Sequence, residues 1–300
     1  MAAADNQPAP AGRRSRSGPA FGAWQPLTGR GVAAFGTASL GRTLGFQLVF
    51  ALGAALVIVW SVRHAWFPPV NEALTRLPEG GAEIRNGHLR WPDTNAVTLA
   101  ENPQFGLAID PTGAGELGRT ADVLVELRRD EIRLEGVFGH QLVAYPPDLS
   151  LPLDRTGGAA AWGAWNWVGL AFLGVATFLA LCALWWFSAF ALALPVWLAA
   201  LIFRRGLTLG GAWRLTAAAW LPATLVLLGG VFLYATHGLR LTGLALAAGA
   251  HLVALLAWLG WGFCTLPPRE SKQRPKHPFD GNPSANVATS KPGTKPNPFK

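Results

Sequence analysis

Residues 164–203 read AWNWVGLAFLGVATFLALCALWWFSAFALALPVWLAALIF, forty positions without one Asp, Glu, Lys, Arg or His. A charge at the bilayer centre is costly, so an uncharged apolar run longer than about 18 residues reads as a membrane span. The run belongs to a wider region, 161–265, whose only charged side chains are Arg204, Arg205, Arg214 and Arg240. Forty residues are more than one span needs and barely enough for two. Trp165 and Trp167 precede Trp185 and Trp186 by about 20 residues, one bilayer thickness, which predicts the two aromatic belts of a single helix. The remainder, 187–203, contains Pro195 and is expected to be a short span or a re-entrant helix.

On either side the pattern repeats. Residues 213–235 and 241–263 are two more apolar spans, and 44–62 (LGFQLVFALGAALVIVWSV) is another near the N-terminus. That first run is too long for a signal-peptide core and follows a 42-residue tail, so it is expected to stay as an anchor. Residues 1–42 are rich in Gly, Pro, Ala, Ser and Arg, and 266–300 in Pro, Lys and Asn. Both are predicted to be disordered tails.

The charges are sorted to match. Of 17 acids, fourteen lie between Arg63 and Ala160, where nine arginines and no lysine accompany them. The N-terminal tail has five arginines against one acid, and the C-terminal tail seven Lys and Arg against two. By the positive-inside rule both tails are cytoplasmic, the acidic insert faces out and the number of crossings is even. On that count 187–203 does not cross, and five crossings are the alternative. The net charge of +8 therefore points to anionic lipid, and no compact basic domain suggests nucleic acid.

The insert reads as strands. Ile84 to Leu89 around Asn86-Gly87 is a hairpin signal, because that dipeptide suits the two positive-φ positions of a type I′ turn. Residues 97–100, 105–109, 123–127, 132–134 and 137–144 alternate or are short apolar runs, with turns at Asp110-Pro111-Thr112-Gly113 and Arg129-Asp130. Pro68-Pro69 and 70–77 predict a short helix after the first span. The expected architecture is an α-helical integral membrane protein with four or five transmembrane helices and a small extracytoplasmic β-rich α+β domain after the first. Its parts are a tail (1–42), helix (43–63), β-rich domain (64–160), helical bundle (161–265) and tail (266–300).

The order of a lone first span, a compact insert with a Gly-led hairpin, Ile109-Asp110-Pro111-Thr112-Gly113, and then a Pro-bearing span resembles one bacterial family. It is that of uncharacterised multispan membrane proteins bearing an Ile-Asp-x-Thr-Gly motif, some labelled maltodextrin-utilisation proteins. Residues 207–222, with Trp213, Arg214 and Pro222, are similar to a span of that family and, more loosely, to Yip-type membrane proteins. The likeness covers roughly 40–265, with Pro111 where the family usually has Thr. It implies architecture, and a transporter or accessory subunit of a sugar transport system as the second functional reading.

Candidate chemistry is sparse. Asp110 and Thr112, with Gly113, have the groups to hold a cation or sugar, but Asp, Pro and Gly also build turns in which Asp caps backbone amides. His88 and His140 lack the companions and spacing of a zinc site. His251 is an ionisable group inside a span, and Gly243, Ala247 and His251 share one helix face, where a neutral imidazole is expected to hydrogen-bond to a neighbouring helix. Arg204, Arg205 and Arg214 are expected to meet lipid phosphates. No nucleophile elbow, phosphate loop, disulfide or cofactor motif occurs. The expectation is a non-enzymatic protein of the bacterial inner membrane without metal or cofactor. Its outer domain would sense, bind or scaffold, with the bilayer and other envelope proteins as partners.

Overall fold

The computed structural model describes residues 25–113, 120–137 and 139–269. Four helices are long and apolar enough to cross a membrane. The first, α2 (Leu40–Ala65), follows a seven-residue helix, α1 (Gly29–Phe35), and leads into α3 (Phe67–Arg76). The strands follow as β1 (Glu83–Arg85), β2 (His88–Arg90), β3 (Val97–Glu101), β4 (Phe105–Asp110), β5 (Val123–Arg128), β6 (Glu131–Gly136), β7 (Gly139–Ala144) and β8 (Ser150–Pro152). Three helices complete the described residues: α4 (Arg155–Ile202), α5 (Leu209–Ala235) and α6 (Leu241–Cys264).

The helices start where a side chain can satisfy their free amides. Thr28, Ser39, Asp154 and Thr208 each accept a bond from the amide three residues on. The amide of Gly157 holds the Asp154 carboxyl below the usual carboxylate range.

The inserted domain has two small sheets. One runs β2-β1-β8, the other β3-β4-β5-β6-β7, all antiparallel except the β4–β5 pair. Asn86 (φ 50°) and Gly87 (φ 76°) form the expected hairpin turn between β1 and β2. Helix α3 lies on the sheets, and its Ala73 together with Leu77 just past its end packs against Ile84, Leu89, Leu99 and Ile109. β5 alternates as expected: Leu127 joins that core, while Glu126 and Arg128 point to the opposite face.

The bundle is built around α5. Ala217, Ala218, Ala219, Leu221 and Ala223 are fully buried within it, and α1, α2, α4 and α6 pack round it. Small residues make that possible. Gly230 lies directly against Ala247 of α6, and a Cβ on Gly262 of α6 would come within 2.8 Å of Val32 in α1.

Several expectations are corrected here. Residues 25–42 belong to no disordered tail: Val32 and Phe35 of α1 are core residues that plug the end of the bundle opposite the inserted domain. Leu266 is likewise buried, and Arg205 reaches its carbonyl at 2.7 Å. Residues 1–24 and 270–300, the rest of the expected tails, lie outside the described residues. The first span is longer than 43–63, and α4 already begins at Arg155, before the expected domain boundary at 160. Residues 187–203 are no separate element, because α4 runs on through Pro195 as one 48-residue helix. Trp185 is not a belt residue either; it is 1% exposed and sits in the bundle core. Its neighbour Trp186 donates its Nε1–H to Gln47 of α2 at 3.2 Å.

Candidate functional site

Asp110, Thr112 and Gly113 do come together, at the end of β4. Asp110 is fully buried, and its Oδ1 accepts from Thr112 N (3.2 Å), Thr112 Oγ1 (3.0 Å) and Gly113 N (2.9 Å). Gly113 has φ 69°, which a side chain resists. The carboxylate thus folds its own turn, and its burial leaves it no open face toward a solvent ligand.

Beside it runs an ion-pair row that the sequence did not single out. Glu126, 2% exposed, accepts from Arg128 Nε at 2.6 Å and lies 3.6 Å from Arg133 Nη1. Arg133 also reaches Glu135 at 3.1 Å. Glu126 and Arg133 are register partners across β5–β6, and Asp110 and Arg128 across β4–β5, so strand pairing itself brings these charges together. Each member has an opposite charge beside it, as burial demands.

The other candidates are scattered through the bundle. Arg214, near the start of α5, donates to Gly36 O at 3.3 Å, so it ties the α1–α2 link to the central helix and is not simply aimed at lipid. Arg205 likewise binds a backbone carbonyl. Pro222 is buried in mid-α5, where the hydroxyls of Thr216 and Thr224 bond to carbonyls four residues back. His251 is buried against Trp220, ring centroids 5.3 Å apart, and its Nδ1 has no hydrogen-bond partner among the described residues. The expected interhelical hydrogen bond is not made through that atom. Gly243 does not face the same neighbour: the three atoms nearest a Cβ there all belong to Leu239.

The arrangement with most consequence lies where the inserted domain meets the helices. Asn102 Nδ2 donates to Ala65 O, the last residue of α2, at 2.6 Å. Gln104, 1% exposed, donates from Nε2 to Tyr234 O near the end of α5 at 3.2 Å. The same amide nitrogen lies 2.5 Å from Nδ1 of His237. Asp122 accepts from Leu241 N, the first amide of α6, at 3.2 Å. No side chain of α6's own segment caps that end, so a carboxylate from the inserted domain does it, favoured by the helix dipole. Phe105 stacks on Trp66 (5.1 Å) to close the seat. Three polar side chains of one loop system thus bond to the ends of three helices. The sequence signal was only the Asn102-Pro103-Gln104 turn, because the partners are 37, 130 and 119 residues away.

Among the described residues no group of three or more His, Cys, Asp or Glu side chains is placed to hold a metal ion. Comparison with protein-family models, with curated proteins and with solved structures finds no match to this chain.

Proposed function

We propose that this chain is a non-enzymatic multi-pass protein of the bacterial inner membrane whose outer, β-rich domain is a recognition or scaffold module mechanically seated on the helices. The supporting observation is the junction: Asn102, Gln104 and Asp122 bond to the ends of α2, α5 and α6. A domain on a loose tether would need none of these bonds. With them, force or displacement at the outer domain is delivered to α5, the helix every other bundle element touches. Both tails are placed in the cytoplasm on charge grounds, and partners are other envelope proteins.

Crosslinking in native membranes, followed by identification of co-purified proteins, tests the reading. Envelope-assembly or signalling proteins attached through the outer domain are the expected outcome, and Gln104→Leu should weaken their functional output without abolishing capture. A sugar-transport complex would favour the accessory role instead. Turnover of a small substrate by the purified chain would overturn the non-enzymatic reading.

A further inference from the structure

Between α2 and α4 lies an open groove of about 690 Å³, lined by Leu52, Leu56 and Val59 on one side and Ala171, Val175 and Phe178 on the other. Every lining residue is apolar except Arg63. From Leu48 to Arg63 the groove follows sixteen residues of α2, a rise of about 22 Å, which exceeds one leaflet of a roughly 30 Å hydrocarbon core. Gly174 sets its floor: a Cβ there would stand 3.2 Å from Val59.

At the end nearer the inserted domain the groove opens into a smaller polar chamber of about 300 Å³. Arg63 and Trp167 line both, and Asn71 and Asn166 complete the chamber. The Arg63 guanidinium sits 4.6 Å from the centroid of the Trp167 ring, and no carboxylate pairs with it among the described residues. Trp162 donates to Asn71 Oδ1 at 2.9 Å, so that oxygen is engaged. The Asn166 carbonyl oxygen is buried and has no donor. The chamber therefore presents one unneutralised cation, with an orphaned acceptor buried in its wall, at the mouth of an apolar slot longer than one leaflet.

We infer that this is a binding site for an anionic phospholipid with a hydroxyl-bearing headgroup. The phosphate lies on Arg63, a headgroup hydroxyl donates to Asn166 Oδ1, and one acyl chain fills the slot. The chemistry is matched at each level: cations at the membrane surface attract anionic lipid, and a buried acceptor needs a donor. A transmembrane helix from a partner would fill the slot but leave Arg63 and Asn166 unanswered. The inference rests on the membrane reading above, since only in a bilayer is the slot bathed in lipid.

The test uses the full chain, purified in detergent, stripped of lipid and offered phosphatidylglycerol or phosphatidylcholine, with bound lipid counted by native mass spectrometry. Wild type is expected to retain phosphatidylglycerol at least tenfold better than phosphatidylcholine. Arg63→Gln should erase the preference, Arg63→Lys should keep most of it, and Ala171→Trp should reduce retention of both by filling the slot. Excess inorganic phosphate should leave the bound lipid in place. Equal retention of the two lipids by wild type, an unchanged preference in Arg63→Gln, or displacement by phosphate would overturn the site. Carbonate extraction of native membranes separates the two failures. A chain released by carbonate refutes the membrane reading and the site together, whereas a chain that stays but shows no lipid preference refutes the site alone.

Discussion

Helices α4 and α5 are nearly indistinguishable by hydrophobicity, yet they occupy opposite environments. In the most apolar 18-residue stretch of α4 only 6% of positions are buried within the protein; in that of α5 the share is 61%. The difference lies in side-chain size. Helix α5 carries Ala217-Ala218-Ala219 and Ala223, which let four neighbours approach closely; α4 turns Phe172, Leu179, Phe187 and Phe190 outward. In a bilayer, apolar side chains gain nothing by leaving lipid, so close packing of small residues decides which helix is central. Apolarity says that a helix enters a membrane; side-chain volume says where it sits.

The sharpest way to break this comparison is topological and all-or-none. If α4 crosses once, despite its 48 residues, the four candidate spans put both tails on one side. With Cys182 and Cys264 replaced, cysteine at Ser15 or Ser284 should resist a membrane-impermeant thiol reagent in intact cells, while cysteine at Asn95 should react. Labelling at 284 would mean an odd number of crossings and a reversal within α4.

Next comes a test inside α4 itself. Trp185, 1% exposed, is the one large side chain that α4 commits fully to the core, whereas Trp165 is 68% exposed. Trp185→Ala should cost about 3–5 kcal/mol by cavity formation. Trp165→Ala should stay within about 0.5 kcal/mol, as surface changes do. Equal losses in denaturant titrations of the detergent-solubilised chain would contradict the burial difference.

A reciprocal pair adds bulk. Ala218→Phe in α5 should destabilise by about 1–3 kcal/mol, because a packed core resists extra methylenes. Val175→Phe on the open side of α4 should be near neutral by the same titration.

These contrasts also mark what the sequence could reveal. Charge sorting delimited the insert and the apolar runs because both depend only on composition. Asn86-Gly87 announced its turn because positive φ at two adjacent positions is a local requirement. Gly87→Val should accordingly cost about 1–2 kcal/mol in the full chain, as forcing a β-branched residue into the left-handed region does; an unchanged melting profile of the inserted domain would contradict the turn. What stayed hidden depends on distant partners. GRGVAAF gives no sign that Val32 will plug a bundle, β8 is three residues long, and the parallel β4–β5 pairing has no local signature. The junction is hidden for the same reason, since nothing local marks Gln104 as the partner of Tyr234 and His237.

The smallest expected effect concerns His251, where α6 meets α5. An interhelical hydrogen bond predicts that His251→Gln preserves stability and His251→Leu costs about 0.6–2 kcal/mol. The structure predicts another order. With Nδ1 buried and unpartnered and the ring against Trp220, His251 contributes a ring contact and carries an orphaned polar atom. His251→Phe keeps the ring and removes the orphan, so it should match wild type or exceed it by up to about 1 kcal/mol. His251→Leu removes the orphan but also the ring, and should fall slightly below wild type. His251→Gln keeps a polar end without the ring and should be the least stable of the three, by about 1 kcal/mol. A proton-handling role predicts no such ranking: all three variants would lose the cellular phenotype while folding well. Denaturant titrations set beside complementation of a deletion strain separate the readings. A stable, fully active His251→Phe would leave packing against Trp220 as the work of this residue.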